Sequence, residues 1–119
     1  MLDSLFIFDK LLYNFNFNYM SYKEQITLLI IDILKEIGKE TNNKKLINAK
    51  PDTRLYGSGD LDSLLLVRLI SEVENRIEED FDKEIIIATE RAMSQRLSPF
   101  LSVSSFSEYV TKLVENNNK

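Results

Sequence analysis

Apolar residues recur at steps of three and four in two stretches of this chain, the spacing of one face of an α-helix. The first stretch predicts a helix over about residues 21–37, with an apolar face of Ile26, Leu29, Ile30, Ile33, Leu34 and Ile37. The second predicts a helix from Asp62 or Ser63 to about Asp80, with a buried face of Leu66, Ile70, Val73, Ile77 and Phe81. Together these faces favour a small helical bundle.

Capping and breaker residues predict where the first helix starts and stops. Ser21 and Glu24 form a capping-box pattern, in which the serine caps the helix and the glutamate reaches back to it. Gly38 is expected to end the helix. Residues 39–60 then predict a long loop, and a loop of this length in a small domain is usually functional or partly structured. Three apolar residues are expected to hold it to the core: Leu46, Ile47 and Leu55.

Two further helices are predicted after the second one. A short third helix is expected over about residues 89–97, ended by Ser98-Pro99. The last helix is expected to begin at Ser105, where Ser105 and Glu108 repeat the capping-box pattern. Its inward side chains are predicted to be Phe106, Tyr109, Val110 and Leu113. The run at residues 85–87 is the only strand-like one, and a lone strand has nothing to pair with. The prediction is therefore an all-α fold, a small four-helix bundle with a long loop between helices 1 and 2.

Composition excludes several kinds of chemistry. With 119 residues the chain is expected to form one domain around a modest core. It has no cysteine, which excludes disulfides, thiolate metal sites and cysteine nucleophiles. It has no histidine, the commonest metal ligand and the commonest general base at neutral pH. We therefore expect neither a metal site nor an enzyme.

Charge is distributed unevenly along the chain. The formal net charge is −4, but residues 60–84 hold nine acids and three bases, so this segment carries −6 and the rest of the chain +2. An acidic helix repels nucleic acid and attracts basic protein surfaces, so no nucleic-acid partner is expected. The alternative is that these charges form an ordinary solvated helix face.

Residues 1–19 differ from the remainder because they hold six of the twelve aromatic residues. Asp3, Asp9 and Lys10 interrupt their apolar run, so no membrane insertion is expected. A signal peptide also fits poorly, since the run lacks a basic region before it and a small-residue cleavage site after it. We interpret the segment as a start-site artefact ahead of a natural start at Met20. The alternative is a hydrophobic extension that docks on the bundle or on a partner. The expected location is the cytoplasm, and a monomer is expected.

The segment Gly59-Asp60-Leu61-Asp62-Ser63-Leu64 places one serine hydroxyl at the start of the second helix. An Asp-Ser-Leu sequence in this position, after a glycine-bearing loop and before an acidic helix end at residues 78–85, resembles the acyl carrier protein family of phosphopantetheine-dependent carriers. The resemblance covers roughly residues 20–115 and marks residues 20–119 as the carrier domain. Asp62 or Ser63 can equally be an ordinary helix N-cap, a position that both residue types favour.

The resemblance implies a specific modification at Ser63. In this family a phosphopantetheinyl transferase moves 4′-phosphopantetheine from coenzyme A to the serine hydroxyl, and Asp62 would orient the serine and engage the transferase. The thiol of the arm then carries an acyl or aminoacyl group as a thioester between a loading enzyme and downstream transferases of a biosynthetic pathway. A helix N-terminus suits the anionic phosphodiester.

The resemblance also implies a partner surface on the second helix, with Leu64 and Val67 as its apolar positions and Glu72, Glu74 and Glu78 as its acidic flank. The alternative for Leu64 and Val67 is that they complete the core. The placement of Gly59 and Leu61 before the serine resembles stand-alone aminoacyl carriers, such as D-alanyl or peptidyl carrier proteins. A second hypothesis is a non-carrier helical interaction module that binds through residues 64–69 and has no prosthetic group.

Overall fold

The computed structural model describes residues 19–89, 92 and 99–116, and these are mainly helical. Four helices are present among them: α1 (Tyr22–Thr41), α2 (Lys44–Ile47), α3 (Ser63–Phe81) and α4 (Val103–Asn116). This part of the chain contains no strand, only isolated bridges that join Arg54 to Ser102 and Tyr56 to Leu61. The all-α prediction is therefore confirmed for the described residues.

Helix α1 begins where the capping pattern predicts but continues past the predicted end. The Ser21 hydroxyl oxygen accepts a hydrogen bond from the Glu24 amide at 3.2 Å, and the hydroxyl donates to the Glu24 carboxylate. The prediction that Gly38 ends the helix is wrong, since α1 continues to Thr41 and is capped by Asn42, a left-handed residue with φ 56°. A Cβ at position 38 would lie 2.6 Å from the Ile47 amide nitrogen. Gly38 therefore permits the close approach of α2.

The predicted loop over residues 39–60 is shorter than expected, because its first residues belong to α1 and Lys44–Ile47 forms α2. The Asn43 carboxamide oxygen caps α2 by accepting from the amides of residues 45 and 46. Leu46 and Leu55 are fully buried, as predicted, and Ile47 is half-buried. Four residues are too few to show helical periodicity, so sequence reasoning missed α2.

Helix α4 begins at Val103, two residues before the predicted start. Ser102 and Ser105 exchange hydrogen bonds: each amide donates to the hydroxyl oxygen of the other at 3.1 Å. Ser105 is therefore the second member of a reciprocal cap, and its prediction as the capping residue is wrong. The predicted third helix over residues 89–97 lies mostly outside the described residues.

Helix α1 is the central element of the described fold and packs against α2, α3 and α4. Phe100 and Phe106 meet edge to face in the core, with ring centroids 5.5 Å apart. The largest fully buried side chains are Phe100, Phe106, Ile26, Ile30, Ile33, Leu34, Ile37, Leu46, Leu55, Leu69, Ile77 and Ile87. None of the described helices has the length and apolar character that crossing a membrane requires.

Candidate functional site

Ser63 is the first residue of α3, and Asp62 is its N-cap. The Asp62 carboxylate oxygen Oδ1 accepts a hydrogen bond from the Leu65 amide at 2.9 Å. Capping is therefore performed by Asp62, which leaves Ser63 without that role. Ser63 is exposed, and its hydroxyl makes no hydrogen bond within the described part of the chain. A hydroxyl in this position can react with an external group at the positive end of the helix.

The loop before Ser63 is held to the fold by backbone hydrogen bonds and buried leucines. The Leu55 amide donates to the Leu101 carbonyl at 2.8 Å, and the Leu61 amide donates to the Leu55 carbonyl at 3.1 Å. Both Leu55 and Leu61 are buried. A Cβ at Gly59 would overlap the backbone of Arg54 and Leu55, so the close turn requires glycine at this position. This anchoring determines where α3 begins and thus where Ser63 lies.

Two large apolar side chains lie exposed beside Ser63. Leu64 is 81% exposed and Val67 is 59% exposed, whereas Leu66 and Leu69 on the same helix are buried. Residues three or four apart on a helix are neighbours on its surface, so Val67 adjoins both Ser63 and Leu64. These side chains do not complete the core. They form an exposed apolar surface, defined here as Leu64 and Val67, next to the serine.

Glu72 belongs to an ion-pair network that joins α3 to α1. Arg68 Nε contacts Glu72 Oε2 at 3.2 Å, and Arg68 Nη1 contacts Glu40 Oε2 at 2.6 Å. The hydrogen bond from Arg68, reinforced by its charge, lowers the pKa of the Glu40 carboxyl. Sequence reasoning missed this network, although the i,i+4 spacing of Arg68 and Glu72 is a signal for half of it.

Glu74 makes a different contact, on the other side of α3. It is half-buried, and its carboxylate accepts a hydrogen bond from the Ile87 amide at 2.8 Å. One of its oxygens therefore holds the segment that follows α3. Of the predicted partner-surface residues, the structure brings Leu64 and Val67 next to Ser63, whereas Glu72 and Glu74 lie further along the helix with partners inside the fold.

No group of three or more acidic side chains in residues 19–89, 92 and 99–116 is arranged to hold a metal ion. The chain was also compared with models of protein families, with curated proteins and with solved structures, and none of them matches it. Function is therefore inferred from the geometry around Ser63.

Proposed function

We propose that this chain is a carrier protein that holds an acyl or aminoacyl group as a thioester on a 4′-phosphopantetheine arm attached to Ser63. The observation that carries the proposal is the exposed Ser63 hydroxyl at the first position of α3, free of hydrogen bonds within the described residues while Asp62 caps the helix. The finer fold in this proposal is a four-helix bundle of the acyl carrier type with a long connection between α1 and α3.

Attachment of the arm requires little more from this chain than a hydroxyl that is exposed and fixed in position. When the arm is attached, Ser63 Oγ forms a new bond to the phosphorus that carries pantetheine, and the bond from that phosphorus to adenosine 3′,5′-bisphosphate breaks. The hydroxyl proton leaves to a base of the transferase. The first turn of α3 offers unpaired amide groups and a positive dipole end, which stabilise the resulting phosphodiester anion.

The exposed apolar surface of Leu64 and Val67 supports transfer between enzymes, because a carrier must present its arm and a contact surface together. Large exposed apolar side chains beside a reactive group favour protein binding. The same observation favours the second candidate, an interaction module without an arm. The two differ only at Ser63, since the module has no use for a reactive hydroxyl.

The test is the intact mass of the protein after incubation with coenzyme A, magnesium and a promiscuous phosphopantetheinyl transferase. We expect a gain of one phosphopantetheine by the wild type and none by Ser63→Ala. Ser71→Ala is the matched control, because Ser71 is another exposed serine of α3, and it should gain the arm normally. No gain by the wild type with several transferases would contradict the proposal and favour the interaction module.

A further inference from the structure

A cleft of about 500 Å³ lies between α2 and the loop that leads to Ser63. This volume falls within the range of small-molecule sites in proteins. Four basic residues line the cleft: Lys44, Lys45, Lys50 and Arg54. Its other lining residues include Thr53 and residues 58–60, which belong to the anchored loop before α3.

Within the part of the chain that the structure describes, the four bases of the cleft have no acidic partner. None of them forms an ion pair with a carboxylate of the described residues, whereas Arg68, Arg76 and Lys112 all do. Residues 44–54 carry a net charge of +3 on a chain whose net charge is −4. Like charges gathered in one concave surface repel each other and attract an anion. Asp60 also lines the cleft and opposes this, but it is one acid against four bases.

The donors in the cleft suit phosphate oxygens. Arginine offers a planar fork of N–H groups and lysine a compact charge, and both are common phosphate ligands. The Thr53 hydroxyl oxygen already accepts a hydrogen bond from the Lys50 amide at 2.8 Å, so its proton is free to be donated outward. The cleft therefore combines four positive charges with a positioned hydroxyl donor.

We propose that this cleft binds the phosphate groups of a small molecule. A nucleotide and a free phosphate compound offer the same chemistry to these donors, so they are tested as two separate sources.

The experiment is an amide NMR titration of the Ser63→Ala protein, which cannot be modified and so tests the cleft alone. The probes are adenosine 3′,5′-bisphosphate, inorganic phosphate and adenosine. With the bisphosphate we expect shifts confined to residues 44–60 and a loss of affinity of at least about 10-fold in Lys50→Glu/Arg54→Glu. Lys50→Gln/Arg54→Gln is the milder variant if charge reversal disturbs the fold. Lys35 is an exposed lysine of α1 outside the cleft, so adding Lys35→Glu should leave the affinity for the bisphosphate the same as in Ser63→Ala.

Equal binding of inorganic phosphate and the bisphosphate supports a phosphate site and assigns it to free phosphate instead of a nucleotide. Absence of binding, binding of adenosine alone, or an equal loss in Lys35→Glu overturns the proposal. Should the cleft bind while wild-type Ser63 is never modified, the carrier proposal fails and the phosphate site stands.

Discussion

Helix α3 has leucine and valine on two faces, and these faces differ in what surrounds them. Leu69 and Val73 on the inner face are fully buried against the core, whereas Leu64 and Val67 on the outer face are mostly exposed. Burial of such a side chain stabilises a fold by about 1.5–3 kcal/mol. Exposed apolar side chains contribute little to folding and offer a surface to another molecule. The inner face therefore holds α3 in place, and the outer face is what α3 presents beside Ser63.

The largest expected effect is the difference in stability between a leucine truncated on the inner face and one truncated on the outer face. Leu69→Ala should lower the free energy of unfolding by about 2–5 kcal/mol, because it leaves a cavity in the core. Leu64→Ala removes the same atoms from an exposed position and should change the free energy of unfolding by less than about 0.5 kcal/mol. Urea denaturation followed by circular dichroism measures both. Equal losses in the two variants would mean that Leu64 is packed, and the comparison of faces would be wrong.

Glu72 and Glu74 extend the comparison to polar side chains. Glu74→Ala should lower the free energy of unfolding by about 1–3 kcal/mol, because the amide of the fully buried Ile87 loses its acceptor. Glu72→Ala breaks only a partly exposed ion pair and should cost less than about 1 kcal/mol. Hydrogen exchange should show faster exchange of the Ile87 amide in Glu74→Ala alone. A greater loss of stability in Glu72→Ala would contradict this assignment.

The inner face of α3 was predictable because its apolar spacing persists over five positions from Leu66 to Phe81. The outer face was not, since residues 64–69 contain more apolar side chains than one stripe needs, and only packing decides which of them are buried. The role of Glu74 was also hidden. Its partner is a backbone amide thirteen residues later, and residue type carries no information about such a contact.

The candidate site also has features that the sequence predicts and features that only the fold reveals. Ser63 at a helix start could be predicted from the Asp-Ser-Leu sequence, but its freedom from capping could not, because aspartate and serine cap equally well. The basic cleft was missed because its lysines and arginine are scattered over residues 44–54. They line one cavity only because α2 folds within the predicted loop and brings them together.

Asp62 tests whether the cap and the modification can be separated. Asp62→Ala should lower the free energy of unfolding by about 1 kcal/mol, because the Leu65 amide loses its acceptor. Asp62→Asn keeps an acceptor oxygen and should change stability by only a few tenths of a kcal/mol, since both residues cap well. If Asp62 engages the transferase through its charge, the rate of arm attachment falls in both variants. An unchanged rate of arm attachment in Asp62→Asn would mean that Asp62 acts only as the helix cap.

The smallest expected effect lies at the edge of the outer face, where Arg68 joins Glu40. Glu40 has a lowered pKa, so its ion pair stabilises the folded chain at pH values above the unfolded pKa and loses that contribution as the pH falls through the folded pKa. The free energies of unfolding of the wild type and Glu40→Gln should therefore differ at neutral pH and converge as the pH falls through the lowered folded pKa of Glu40.

Glu36→Gln provides the matched control for this measurement, because Glu36 is an exposed glutamate one turn earlier on α1 that forms no ion pair within the described residues. Urea denaturation at several pH values should show no pH-dependent difference for this variant. Added salt should reduce the difference for Glu40→Gln, since the pair is open to solvent and its attraction is screened. A difference that does not shrink as the pH falls would show that the effect of Glu40→Gln does not depend on the charge of Glu40.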